Sequence, residues 1–456
     1  MAAHNGTTSR VSVHSKLTAV SSKPVEAGKI HQLSAVDHAM ALHSLHVIFY
    51  YKKNPFGFFD LDPLRVSLSE VLSLYPPVTG RLKIGEAGNW EVKCNDAGVR
   101  VFRAKVGCTL DEWLRSADGA EEKDLTGWEE MPEDPSTWAP FRLQVTEFEG
   151  GGVAFGLSCP HIIANLTSVI LIFKAWSETH RKETIGQPPL FHTSIPGETS
   201  VPKPLTNSFS HYAAKANAEV KPSSEKMATA AFKFSDSTIR QWFNTVGDRC
   251  PNATPFDLLA SLFWMRIGRL KTPIHDHDHT LSVCLDLRRL VQPPIPLGYF
   301  GNALHFSTLS RTRKEMESNE LGEVVDLMHQ HISSVSKGQV RSAIDWLESQ
   351  KEEGGKYAAP FRMYGPYLTC VNMEQMITGH QSLLYAASFE NNEKPVHVSC
   401  HVGNVEGEGL VLVTPLEEGL ARMVIVTLPM DELAKLCEDE GILRLEPKLL
   451  LHRNER

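Results

Sequence analysis

Apolar residues recur along this chain at two spacings, one helical and one strand-like, and the two alternate from end to end. In DPLRVSLSEVLSLY (62–75), Leu64, Leu68, Leu72 and Tyr75 make a stripe that predicts a helix with one apolar face. Asp62 is placed to cap that helix and Pro63 to fill its first position. VAFGLSC (153–159) suits a buried strand, and LTSVILIFKAWSE (166–178) a mostly buried helix that begins right after Asn165. TPFDLLASLFWMRIGRL (254–270) predicts another core helix, LSVCLDL (281–287) a strand, and residues 321–335 an amphipathic helix. VSVHSKLTAV alternates as a first strand would, and GLVLVTPLEEGLARMVIVTL predicts a late hairpin followed by a short helix from Asp431.

Between Gly186 and about Lys226 the periodicity lapses into a Pro- and Ser-rich stretch. Helices and strands in two comparable halves predict an α/β chain of two domains, 1–185 and 227–456, with 186–226 as the crossover linker. A segment near 365–390 is expected to pack with the N-terminal half. No internal repeat is visible.

Composition narrows the class. At 456 residues, 42% of them hydrophobic, the chain can bury a large core. A net charge of −8 offers no basic face for a polyanion, so no nucleic-acid partner is expected. The eight cysteines show no CxxC and no metal spacing, which fits reduced intracellular thiols and no bound metal. The first 28 residues lack the apolar core of a secretory signal, although their Ser/Thr-rich, acid-poor composition mimics a transit peptide. The most apolar stretch is interrupted by Pro160, His161, Asn165 and Lys174, so no transmembrane segment is expected. Asn165-Leu166-Thr167 also matches a glycosylation sequon, a chance match without a secretion signal.

Few residues carry candidate chemistry. His161 follows the buried strand, where a histidine is either a satisfied core residue or a general base. Asn165 suits a helix N-cap. Cys159 shares a face with His161 if the strand continues, but nothing marks it as an activated thiolate. HDHDH (275–279) looks like metal ligands, yet without a second ligand group a solvated hairpin tip is the better reading. Asp286 and Arg288 fall on one face of a strand, as a structural ion pair would.

These segments together resemble the BAHD family of plant CoA-dependent acyltransferases, over about residues 10–440. LSAVDHAMALHSLHVIFYY looks like the family's opening LSxxD segment, YPPVTGRL its YPxxGRL element, and FRLQVTEFEGGGVAFGLSCPHIIAN the strand pair leading into HxxxD. LDLRRLVQPPIPLGYFGNAL is similar to the DxR…GYFGNA segment. The resemblance implies two chloramphenicol-acetyltransferase-like domains with a channel between them, CoA or acyl-CoA as substrate, and no tightly bound cofactor. It casts His161 as general base, Thr369 of LTCV (368–371) as candidate oxyanion donor, and the motif aspartate as partner of Arg288. Here Asn165 replaces that aspartate, and Leu166 replaces a glycine whose turn could need positive φ. SFENNEKP (388–395) retains only Phe389 and Lys394-Pro395 of the family's DFGWGKP, and Val371 replaces a tryptophan.

Departure from both motifs is typical of the Eceriferum/Glossy-type branch, which CNDAGVRVFRA (94–104) and YGPYLTCVNME (364–374) also resemble. That branch implies a role in very-long-chain fatty acid elongation for cuticular wax. The expected partner is the elongase condensing enzyme, a 3-ketoacyl-CoA synthase. The expected state is a monomer in the cytosol, held at the endoplasmic reticulum through that partner. A working acyltransferase with His161 as base is the alternative.

Overall fold

The computed structural model describes residues 9–56, 61–191, 209–217, 226–246, 249–271 and 278–451, apart from 319, 353, 361, 391 and 418. Residues 192–208 and 218–225 of the expected linker, and His275–His277 of the HDHDH stretch, lie outside them.

Two sheets organise the described residues. The first has six strands in the order Val11–Ala19, Val99–Thr109, Arg142–Glu149, Val153–Pro160, Ser44–Tyr51 and His397–Val402. Ser44–Tyr51 and Val153–Pro160 are buried along their whole length, because neighbours cover both faces. The sixth strand comes from far along the chain, running antiparallel to Ser44–Tyr51 with His397 opposite Tyr50. The second sheet has seven strands: Leu304–Arg311, His279–Asp286, Leu368–Asn372, Leu410–Pro415, Arg422–Pro429, Met227–Phe234 and Lys448–Leu450. This is a mixed α/β architecture of two sheet-rich domains.

Alternation along the second sheet separates two apolar layers. Leu281, Val283, Leu285, Cys370, Val411, Val413, Val424 and Val426 face the helix Pro255–Leu270. Cys284, Val371, Leu412, Met423 and Ile425 face the other way, into a core shared with the first domain. That shared layer is where a site between the halves has to lie.

The expected elements are present with small shifts. The helix after Asn165 runs Leu166–His180, and Asn165 Oδ1 caps it by accepting from the Ser168 N–H at 2.9 Å. The early helix runs Leu61–Leu72, so Asp62 lies inside it rather than before it. Leu166 is the first helical residue and is not among the residues with positive φ, so the glycine-to-leucine change strains nothing.

The eroded 388–395 stretch keeps its phenylalanine for a packing reason. Phe389 is fully buried, with ring centroids 4.5 Å from Phe56, 5.2 Å from Trp176 and 5.7 Å from Phe173. It closes the aromatic layer under the Leu166–His180 helix, while Tyr51 holds the Ala387 carbonyl at 2.8 Å. Lys394, by contrast, makes an exposed pair with Glu417. Phe389→Ala is expected to cost about 3–5 kcal/mol by emptying this layer, and Lys394→Ala no more than about 1 kcal/mol. Urea denaturation midpoints of the two variants check the contrast.

Candidate functional site

His161 is fixed from both sides by backbone. The strand Val153–Pro160 ends opposite Ser44, the chain turns, and the His161 N–H donates to the His43 carbonyl at 2.8 Å. Four residues later Asn165 caps the helix that begins at Leu166. Because the strand stops at Pro160, Cys159 is not brought onto a shared face with the histidine. Its thiol packs in the core, and burial pushes it far above the usual range.

The imidazole itself is 1% exposed. Its Nε2 lies 3.0 Å from the Tyr364 hydroxyl. Burial lowers the ring to about 4, against smaller upward pulls from the His161 and Ala164 carbonyls and the Asn302 side chain. Among the described residues Nδ1 completes no hydrogen bond. The tautomer sets which way the hydrogen bond between Nε2 and the Tyr364 hydroxyl runs. Burial holds the Tyr364 phenol well above its ordinary range, so it stays protonated. His43 packs edge-on against Tyr364 with centroids 4.9 Å apart, and burial, with His161 beside it, lowers it to about 3.

A network from distant segments sets the turn. Asp37 shares a capping box with Ser34, and its Oδ1 accepts from both the N–H and the Nδ2 of Asn302 at 2.8 Å. Asn302 Nδ2 also donates to the His161 carbonyl at 2.7 Å. The aspartate of LSAVD and the asparagine of GYFGN therefore act together, through the backbone of the histidine.

Asn165 caps the helix, and Arg288 finds its anion close by in sequence. Arg288 is buried, and its guanidinium pairs with Asp286, whose carboxylate also accepts from the Arg288 N–H at 2.9 Å. Its second terminal nitrogen donates to the Tyr299 carbonyl at 2.8 Å. The arginine thus keeps an anion without an aspartate at 165. The pair does not sit on one strand face as the alternation suggested: the strand ends at Asp286, and the contact forms across the following turn. Ser168 Oγ, held by Asn165, lies 3.3 Å from the Gly301 carbonyl, so Asn165 and Arg288 brace the same 299–301 turn. Among the described residues Asn165 Nδ2 and Arg288 Nε have no acceptor, two buried donors where an aspartate would bring one.

Thr369 shares the inward strand face with Val371. Its hydroxyl donates to the Tyr367 carbonyl at 3.4 Å, and its N–H to Gly409 at 3.0 Å. No hydrogen bond joins it to His161. His279 opens a strand. Among the described residues no group of three or more His, Cys, Asp or Glu could hold a metal. Sequence reasoning missed Tyr364, His43 and the partnership of Asp37 with Asn302. The signals were present, since Tyr364 opens YGPYLTCVNME and the other two stand in the quoted motifs.

The chain matches the Transferase family over residues 9–442. Protein ECERIFERUM 26-like of Arabidopsis thaliana is 25% identical, covering 92% of each chain. The omega-hydroxypalmitate O-feruloyl transferase of the same plant is 26% identical over 75% of this chain and 77% of its own. Among solved structures, F. graminearum TRI101 complexed with coenzyme A and deoxynivalenol superposes with a TM-score of 0.70 at 12% identity. The match covers 92% of this chain and all of that one.

Several buried histidines make stability depend on pH. His43 is lowered to about 3, and His161, His305 and His397 to about 4, chiefly by burial. An unfolded histidine titrates near 6.5, so below that pH the unfolded chain binds more protons than the folded one. Stability is complete above about pH 7 and is lost as pH falls from about 6.5 toward 4, each such histidine adding a slope of roughly 1.4 kcal/mol per pH unit. His161→Gln is expected to make the decline between about pH 6 and 5 shallower by one such increment, read by urea denaturation at stepped pH. An unchanged slope would contradict the neutral, buried ring.

Proposed function

Because the chain belongs to the Transferase family, the BAHD acyltransferases, we propose that it works as an accessory of very-long-chain fatty acid elongation for plant cuticular wax. It acts with the elongase condensing enzyme, a 3-ketoacyl-CoA synthase, on the cytosolic face of the endoplasmic reticulum. The partner holds it there; among the described residues no helix is long and apolar enough to cross a membrane. An acyl-CoA is a ligand of the scaffold, with no cofactor held tightly.

One observation carries this reading. The Nε2 that would take a proton from an acceptor is occupied by the Tyr364 hydroxyl inside a buried turn. A ring lowered to about 4 is also poorly matched to general-base work near neutral pH. The similarity to ECERIFERUM 26-like over 92% of the chain supports the wax-related setting.

A second reading, active acyl transfer from a CoA thioester, has its own support. His161 is intact and neutral, and its Nε2 already hydrogen-bonds a hydroxyl, the group an alcohol acceptor would present. Thr369 would then polarise the thioester carbonyl after giving up its weak contact with Tyr367. The similarity to omega-hydroxypalmitate O-feruloyl transferase and the coenzyme A bound by TRI101 favour it.

His161→Ala separates the two in cells that express the condensing enzyme, with acyl chain lengths read by gas chromatography. The accessory role predicts unchanged yields of the longest acyl products. Loss on the scale of about 10²-fold or more, as expected for removing a general base, would establish the enzyme instead.

A further inference from the structure

The helix Ser210–Asn217, SHYAAKAN, reads as a polar surface segment, yet its His211, Tyr212 and Lys215 are 4%, 2% and 3% exposed. Burying three such side chains is costly unless each finds a partner, and each does. His211 Nε2 lies 3.1 Å from Ser282 Oγ on the inward face of the second sheet. The Tyr212 hydroxyl accepts from the Phe306 N–H at 2.9 Å. The Lys215 ammonium donates to the carbonyl of Gly365 at 2.6 Å and to that of Met363.

Those two carbonyls flank Tyr364, whose hydroxyl caps His161. The helix that fills the interior therefore also fixes the group that blocks the imidazole. The groups facing Lys215 are the Cys284 thiol and the rings of His43 and His211. Among the described residues no carboxylate pairs with Lys215. Burial lowers the amine to about 7, which further eases its withdrawal.

We propose that Ser210–Asn217 is an internal plug: it occupies the interior beside His161, Lys215 latches it, and a thioester reaches the imidazole only after the helix withdraws. This goes beyond the accessory reading and does not depend on it, since a plugged scaffold could serve either role.

Diethyl pyrocarbonate labelling of the full-length protein at pH 6.5, resolved by mass spectrometry, tests it. A ring lowered to about 4 is neutral there, so access alone limits its reaction. His14 and His380 are exposed and serve as internal references. His161 is expected to label at least about 100-fold more slowly than His14, and Lys215→Met to raise that rate at least about tenfold with the circular dichroism unchanged. Labelling of His161 at the His14 rate in the parent, or equal protection in a folded Lys215→Met, would overturn the plug.

Should that variant not fold, the parent protein in sub-denaturing urea decides. His161 labelling and amide exchange of residues 211–217 are expected to rise together, before global unfolding. Exchange of the helix without exposure of His161 would refute the proposal. Neither readout involves elongation, so this inference and the proposed function fail independently.

Discussion

A single buried carboxylate ties the two halves of this protein to the turn that carries its histidine. Burial raises the Asp37 carboxyl, and hydrogen bonds from Ser34 and Asn302 pull it back. Those bonds offset the desolvation that would otherwise keep an aspartate out of a core. Asn302 passes the constraint on by donating to the His161 carbonyl, so the position of the imidazole is set through backbone. Nothing in this arrangement requires an acid at 165.

The consequence is a separation between architecture and chemistry. With asparagine at 165 the helix cap is kept, and Arg288 takes Asp286 as its anion. Among the described residues two donors are left without acceptors, at a cost of roughly 1–3 kcal/mol each. The chemistry is more fragile. A base must have a free lone pair, water or substrate within reach, and a suitable pKa. His161 has its Nε2 engaged by Tyr364, a ring shut off from solvent and a pKa shifted down by burial.

Much of the fold was legible because it rests on local signals. The helix after Asn165 announces itself by an apolar run and a capping side chain, and the late hairpin by two apolar strands around a polar turn. The Asp286–Arg288 pair was legible for the same reason, two residues apart in sequence, although its turn geometry was not. Long-range pairings left no such trace. Nothing in HVSCHV says that it pairs with Ser44–Tyr51 from the far end of the chain, and nothing in LSAVD names an asparagine 265 positions away. SHYAAKAN was least legible of all, since its polar side chains read as solvated and only the tertiary structure supplies their partners.

The central claim is that the acyltransferase scaffold persists here without needing His161 to turn over substrate. Its most direct test is a steady-state assay of the purified full-length protein with saturated, very-long-chain and hydroxycinnamoyl CoA thioesters and a panel of alcohols, following free CoA and ester together. The account predicts no ester and no thiol release above a heat-killed control. Sustained multiple turnovers that vanish in His161→Ala would contradict it.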